Sequence, residues 1–400
     1  VGIQNPTGEA RNFQAVATLE TTFKDVTTAL AAADSFSLMG APSVEFSEER
    51  VQRMDAHASR SHHESITRRR TNSMTINSYI LPPGGATPPD IAPFLTAALG
   101  TETIGGSSVT YSLADSLSSL AVGIVSPEVQ GWHGFGAVVE SMTIGLPEGD
   151  EPNFSFELTT AQGVYTGRAT VDGALDGSGT AVSTITLTET NASRMFEPGS
   201  RIQIGASTGH RVTAVDHSTN ELTVTPDVTT DEGTDPVVLP YSPYDETEIA
   251  SASPVGVVQG SVNFGSASDI CIRNAEITLT NNFSPIDCWG RQTTTDMVPG
   301  RREVTGNITL WARSPDILRA HLGRANSQAA RTVALEWVVG DDSLAGNPIA
   351  TISVPQAELQ FPTYDITDDG PNSITVEFRG YATSRSDTND ELSIVFGTSA

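Results

Sequence analysis

The chain has 400 residues, 38% of them hydrophobic, with two cysteines and a formal net charge of −26. That length suffices for two or three domains with cores of their own, and no apolar run is long enough to span a bilayer. Acids outnumber bases 18 to 8 over residues 1–165, 13 to 4 over 166–250 and 17 to 10 over 251–400, so no part of the surface is suited to capturing nucleic acid or an anionic membrane. The first residues, VGIQNPTGEARNF, hold no charged stretch followed by an apolar core; no cleaved signal is expected, and synthesis in the cytoplasm is. Residues 13–23 read as a strand, the Ala-rich piece after them has no clear type, and another strand starts at Ser43. Glu48–Arg70 is charged and nearly free of apolar residues, which reads as a long exposed loop. Met74–Leu81 alternates as a strand, and Asp90–Leu99 has helical spacing, with Ile91, Leu95 and Leu99 on one face. Strands around Met142 and Phe154 close this part near Gly167.

Residues 168–250 differ in character. Thr184–Thr188, RIQIG, HRVTAVD and NELTVTP are short alternating strands separated by turn residues, which predicts a small antiparallel barrel or sandwich, with VTTDEGTDP as a loop. Beyond it, Asn274–Leu279 reads as a strand and Thr280–Arg302 as a second long polar loop. Strands are expected at Val304–Trp311, Thr332–Val339, Ile349–Val354 and Ser373–Gly380. Leu392–Phe396 is a terminal apolar strand that needs a partner, in this chain or in a neighbour.

The stretch Thr295–Gly323 occurs twice. Arg69 and Arg70 fall on Arg301 and Arg302, Ile76 and Tyr79 on Ile308 and Trp311, Pro89-Asp90-Ile91 on Pro315-Asp316-Ile317, and Leu99-Gly100 on Leu322-Gly323. Proline and aspartate suit a first helical turn and glycine the residue after the last one, so each copy predicts a short helix. A hairpin follows each helix, Ala137–Leu158 in one copy and Ser353–Phe378 in the other. The period is that of an ordinary domain. The expected organisation is one domain over 1–167, an inserted outer β module over 168–250 and a second copy over 251–400.

Candidate chemistry is sparse. His62-His63-Glu64 lacks further ligands and reads as a solvated loop; the run from Asp365 to Gly370 lacks the closing glutamate of a calcium loop and reads as an acidic turn. Cys271 and Cys288 have no partners at metal spacing and are expected to be small buried apolar residues. No catalytic, cofactor or metal site is expected, and the chain reads as a structural protein, not an enzyme. Trp132, Trp289, Trp311 and Trp337 leave a carbohydrate-binding or adhesive β protein as the competing class, with Trp311 and Trp337 expected in the core. Two arginine clusters, Arg68, Arg69 and Arg70, and Arg301 and Arg302, sit at the same place before the repeated strand. On an acidic protein they suit bidentate contacts with carboxylates of a neighbouring subunit or ring, against the alternative of ion pairs on their own domain.

The run VPGRREVTGNITLW, the helix PDILRAHLG, ISVPQAELQFP and NAEITLTNNFSP resemble the tail tube proteins of long-tailed, non-contractile phages or archaeal viruses. The resemblance covers most of residues 254–382, and residues 13–165 through TRRRTNSMTINSY, the helix and the Met142–Leu158 hairpin. The first copy departs from it with Thr67-Arg68 in place of Pro-Gly and Met74 in place of Gly306. The resemblance implies all-β tube domains of two packed sheets with one short helix each. It further implies stacked rings of three chains with pseudo-sixfold symmetry, and an acidic lumen that passes DNA from capsid to host without binding it. The implied partners are other copies of the chain and other tail proteins at the tube ends, with no membrane and no cofactor, and the implied location is the virion tail; another virion surface protein is the remaining alternative.

Overall fold

The computed structural model describes residues 13–52, 65–127, 129–176, 181–249, 260–264, 272–291, 293–311, 332–341, 345–360, 363–365, 372–384 and 389–399. Its first part holds β1 (Gln14–Leu19), β2 (Ser43–Gln52), β3 (Ser65–Tyr79), the helix α1 (Ala92–Leu99), β4 (Gly100–Ile104), β5 (Ser108–Leu113), β6 (Leu120–Ser126), β7 (Gln130–Leu146) and β8 (Asn153–Thr166). The middle part holds β9 (Ala169–Thr170), β10 (Ala174–Asp176), β11 (Val182–Thr186), β12 (Arg201–Ile204), β13 (Ser207–Asp216), β14 (Glu221–Val228), β15 (Asp231–Thr234) and β16 (Val237–Pro240). The last part holds β17 (Gly260–Phe264), β18 (Ile272–Thr280), β19 (Ser284–Ile286), β20 (Asp296–Val298), β21 (Glu303–Trp311), β22 (Thr332–Val339), β23 (Pro348–Leu359), β24 (Thr363–Asp365), β25 (Ser373–Gly380) and β26 (Ser393–Thr398). The all-β class is as expected, and α1 is the one α-helix among the described residues; the second expected helix, 315–323, lies outside them.

Alternation along the strands builds two layers over one core. The first layer is an antiparallel sheet ordered β2–β3–β8–β7–β18–β21–β25–β24. The second comprises β1–β6–β7 and β17–β22–β23–β26–β5–β4. β7 serves both: its residues up to Ala137 pair with β6, and those from Ser141 pair with β18. A register shift between Val139 and Ser141 separates the two stretches, where an extra residue bends the strand from one layer to the other. The facing side chains, among them Met74, Phe156, Ile277, Ile308, Trp337 and Phe396, form one cluster that spans both halves.

α1 lies across this core with Phe94, Leu95 and Leu99 buried. Pro93 occupies its first turn, and Gly100 ends it at φ +108° with its N–H on the Thr96 carbonyl. A Cβ on Gly100 would stand 2.7 Å from the Ala114 Cβ, which is why a glycine ends the helix there. Asp90, just before the helix, accepts the Ser37 N–H at 2.9 Å, and burial raises its carboxyl above the usual range.

The two halves share one pairing order. β1–β6–β7–β8–β3–β2 in the first corresponds to β17–β22–β23–β25–β21–β18 in the second. Register agrees as well. Ile76 opposes Phe156 as Ile308 opposes Val376, Val139 opposes Leu158 as Leu359 opposes Phe378, and Ala137 opposes Thr160 as Ala357 opposes Gly380. A bulge falls between Leu120 and Val122 and again between Val333 and Leu335. A slip of one residue would turn every side chain to the wrong face.

Between the halves, the middle part has its own core, including Ile185, Phe196, Ile202, Leu222 and Val238. Its sheet runs β11–β14–β13–β12–β16–β9. It closes on itself where Val171, next to β9, bridges Leu187, next to β11, with Asp172 N–H on the Thr186 carbonyl and Thr188 N–H on that of Thr170. The result, among the described residues, is a six-stranded sheet closed into a barrel.

Several expectations need correction. Glu48–Arg70 is not all loop: β2 and β3 form a ribbon in which Glu48 opposes Arg70 and Gln52 opposes Ser65; residues 53–64 lie outside the described set. Glu48 and Arg70 form an ion pair across the ribbon at 3.2 Å, and the run of charged residues around them leaves the stretch without a clear hydrophobic alternation. Thr280–Arg302 contains the short hairpin β19–β20. It folds back on the first half, with Met297 packed on Val138, Ala161 and Phe23 and the Lys24 ammonium donating to Thr293 Oγ1 at 2.7 Å and to the Thr294 carbonyl at 3.0 Å. The expected loop VTTDEGTDP supplies β15, which pairs with β10. Cys288 is exposed, not buried, because it lies at the tip of that hairpin beside the fully exposed Trp289; Cys271 lies outside the described residues. The terminal strand β26 finds its partners in its own chain, on β23 and β5.

Candidate functional site

The feature that stands out is a face, not a cleft. On the eight-stranded layer, every second residue points into the core and the alternate ones point away. The outward set is made of short polar side chains: Thr75, Ser155, Thr143, Thr278, Asn307 and Thr375 lie along one line across six strands, each opposite its neighbour or one pair removed. Hydroxyls bridge the strands, Thr143 to Thr278 at 3.2 Å and Thr309 to Thr375 at 3.2 Å. The charges on the face are glutamates. Glu45, Glu157, Glu276, Glu303 and Glu377 occupy outward positions on five different strands, and Arg379 is the base among them, paired with Glu303 at 2.7 Å. That is 5 − 1, a net charge of −4 for these positions. Ser141 donates to Glu157 at 2.8 Å, and Glu140, at the bulge of β7, is pushed up by burial and by the neighbouring Glu157 charge, against a Phe283 N–H that lowers it. At the margin, Arg273 pairs with Glu148 at 2.8 Å and lies over the Trp311 ring at 5.1 Å.

The joint between the halves is built into this layer. β18 pairs with β7 from Ala275 opposite Leu146 to Thr280 opposite Ser141. Just beyond, the buried Asn281 amide donates to the Ala98 carbonyl at 3.1 Å and the Val139 carbonyl at 3.0 Å, so the last turn of α1 and the bend of β7 are tied to the second half.

The five arginines are placed unequally. Arg70 bridges Glu48 at 3.2 Å and Glu197 of the barrel at 2.7 Å. Arg302 donates to the Ala114 carbonyl at 3.0 Å and to Asn389, and faces Glu391 at 3.4 Å and Asp115 at 3.9 Å. Both thus have partners within the chain. Arg68 and Arg69 lie in β3 at the bulge where Glu49 opposes Arg69 and Arg50 opposes Thr67. Arg301 is exposed, and its carbonyl accepts the Asn282 amide at 2.7 Å. Arg301, Arg302 and Arg379 line one open cavity of about 850 Å³ with Glu303, Glu391 and Asp115; its charges are balanced, unlike those of a phosphate site.

The barrel docks on the first half through two further arginines. Arg201 donates to the Thr28 carbonyl and Arg211 to that of Val26 at 3.4 Å. His133, fully buried nearby, is pushed down to about 3 by burial and by the Arg201 charge, so it stays neutral beside that cation.

Residues 207–380 match the family of phage tail tube proteins. The match runs from β13 through the end of β25 and supports a structural tail tube subunit, a component of a virion tail. No curated protein matches the chain. The tryptophans of the competing class do not form a shared platform. Trp337 is 2% exposed; Trp132 packs on Phe13 and Tyr165. Trp311 is half-buried on the polar face, not in the core as expected, and Trp289 is isolated at a hairpin tip. Of the metal candidates, His62, His63 and Glu64 lie outside the described residues, as do 366–370. The polar face has no sequence motif, because serine, threonine and asparagine form none. Its signal was the strand alternation itself, read for the outward residues.

Proposed function

We propose that the chain is a duplicated tail tube protein whose eight-stranded layer lines a channel, with the polar, glutamate-bearing face toward the lumen. The observation that carries this reading is the continuity of that layer across both halves, in one register and with one acidic face. A wall of short hydroxyl and amide side chains offers DNA no cationic partner, and net negative charge repels phosphate at a distance of about 8–10 Å at ordinary salt. With two equivalent segments per chain, a pseudo-sixfold ring takes three chains, 3 × 8 strands in the wall, and such rings stack into a tube of the siphovirus kind that conducts the genome at ejection. The barrel sits outside this wall. Arg68, Arg69 and Arg301 remain candidates for contact with the next ring, while Arg70 and Arg302 are occupied within the subunit.

The test is a charge reversal on the face. Tubes of the natural chain are expected to leave DNA unbound even at low salt. Tubes of the Glu157→Lys, Glu276→Lys, Glu377→Lys triple variant, changed by 3 × 2 charges per chain, are expected to retain DNA with an affinity that falls steeply as salt rises. Electron microscopy checks that both form hollow rods. Rods of the variant that ignore DNA would place this face outside the lumen.

The barrel gives a second expected result. Its entry and exit lie together, since Gly131 pairs with Thr166 and a Cβ there would stand 3.1 Å from the Pro240 Cβ. Replacing residues 168–240 by a short Gly-Ser linker is expected to leave tubes that assemble with a smaller outer diameter. Loss of assembly with the subunit still folded would make the barrel part of the wall.

A further inference from the structure

We infer that successive chains join by one specific strand pairing: β2 of one copy against β24 of the next, in the register with which β18 pairs with β7 inside the chain. This rests on the tube reading above and goes beyond it by naming the joint.

The two ends of the eight-stranded layer are β2 and β24. Among the described residues, β2 pairs only with β3 and β24 only with β25. Each end has a counterpart that is already paired. β2 stands to β3 as β18 stands to β21, with Val44 opposite Met74 where Ile277 is opposite Gly306. β24 stands to β25 as the end of β7 stands to β8, with Thr363 opposite Thr375 where Thr143 is opposite Ser155. Inside the chain these counterparts are joined: Thr278 opposes Thr143, Ile277 opposes Ile144 and Glu276 opposes Gly145. Carrying that joint over to the free ends puts Glu45 opposite the next copy's Thr363, Val44 opposite its Tyr364 and Ser43 opposite its Asp365.

Burial points to the same partner. In β18, which has a strand on each side, Ile277 and Leu279 are 0% exposed. At the matching places on β2, Val44 is only partly buried and Phe46 is 39% exposed. These side chains face the core layer but lack the neighbouring strand that covers their counterparts. A register one residue away would turn Val44 and Phe46 to the polar face. Pairing of β2 with a second β2 would close a dimer and leave β24 bare, whereas β2 on β24 is head to tail and propagates until the ring closes.

Directly opposed residues of antiparallel strands have Cα atoms about 4.5–5.5 Å apart, within the roughly 4.4–6.8 Å that a disulfide bridges. In the full chain with Cys271→Ser and Cys288→Ser, Glu45→Cys and Thr363→Cys are made in separate chains and mixed under mild oxidation. A covalent dimer is expected from the mixture and from neither variant alone. The Thr143→Cys, Thr278→Cys chain, whose native hydroxyls are 3.2 Å apart, is the control and is expected to close within one chain. Rings or tubes that form while the Glu45/Thr363 mixture stays uncrosslinked would overturn this joint and leave the tube reading standing. So would tubes that crosslink more readily through Ser43→Cys with Thr363→Cys. A chain that stays monomeric at every concentration, with no crosslink, would overturn the tube reading and the joint with it.

Discussion

Replacing Gly306 by methionine is expected to destabilise the subunit by about 3 kcal/mol or more, although methionine is what the first half carries at the matching place. The two halves fill that site differently. In the first, Met74 is 1% exposed and opposes Leu158; in the second, Gly306 opposes Phe378. The Phe378 ring lies over the glycine, and a Cβ on Gly306 would stand 2.4 Å from its Cζ and 2.4 Å from the Glu276 carbonyl oxygen. Overpacking alone costs about 1–3 kcal/mol, and moving a carbonyl in the β18–β21 ladder adds to it. Against a total stability of roughly 5–15 kcal/mol, that is a large share. The Gly306→Met, Phe378→Leu double variant is expected to recover part of the loss, because it restores the Met and Leu pair of the first half; the Glu276 carbonyl remains to be displaced. Urea unfolding of the four chains of the cycle checks this, and strictly additive losses would show that ring and glycine are not coupled.

The same pair shows what can and cannot be read from residues alone. Strands with one face in the core, such as Thr332–Val339 or Ser373–Gly380, alternate so clearly that their bounds are visible in the sequence. The short helix is marked by Gly100, whereas Pro89 and Asp90, expected in its first turn, lie before it, and Pro93 occupies that turn. The substitution of Met74 for Gly306 looks like a loss of loop geometry until the opposite strand is known; then Leu158 and Phe378 account for it. The β2–β3 ribbon was illegible because its far end is dominated in sequence by charged residues, among them the pair Glu48 and Arg70, and β19–β20 because Met297, which packs it on the first half, has no periodic apolar neighbours. The polar face was legible in principle from every strand's outward residues, but which strands lie side by side depends on pairings between residues more than a hundred positions apart, such as Thr143 with Thr278. An arginine's partner is equally hidden. Arg70 and Arg302 look alike in sequence whether their carboxylates belong to the same chain or to the next.

Arg302 is where that ambiguity has the largest consequence. Its guanidinium gathers Ala114 and Asp115 after β5, Asn389 and Glu391 before β26, and its own position before β21. Arg302 and Glu391 are each 19% exposed. Arg302→Ala is therefore expected to cost about 2–4 kcal/mol, because it leaves the Glu391 carboxylate and the Ala114 carbonyl short of a partner in a half-dry site. Arg302→Lys is expected to recover only a minor part, since one ammonium cannot serve a carbonyl, an amide oxygen and a carboxylate that a planar fork reaches together. Arg301→Ala, one residue away and exposed, is expected to change subunit stability by no more than about 0.5 kcal/mol. Thermal unfolding of the unassembled subunit measures the stability change, and microscopy of tubes under assembly conditions measures the contact between rings. If Arg302 acts within the chain and Arg301 between rings, the first substitution lowers the unfolding temperature and the second shortens tubes without lowering it. An Arg302→Ala subunit that melts like the natural one yet builds no tubes would move Arg302 to the inter-subunit side, with Asp115 and Glu391 free to face another chain.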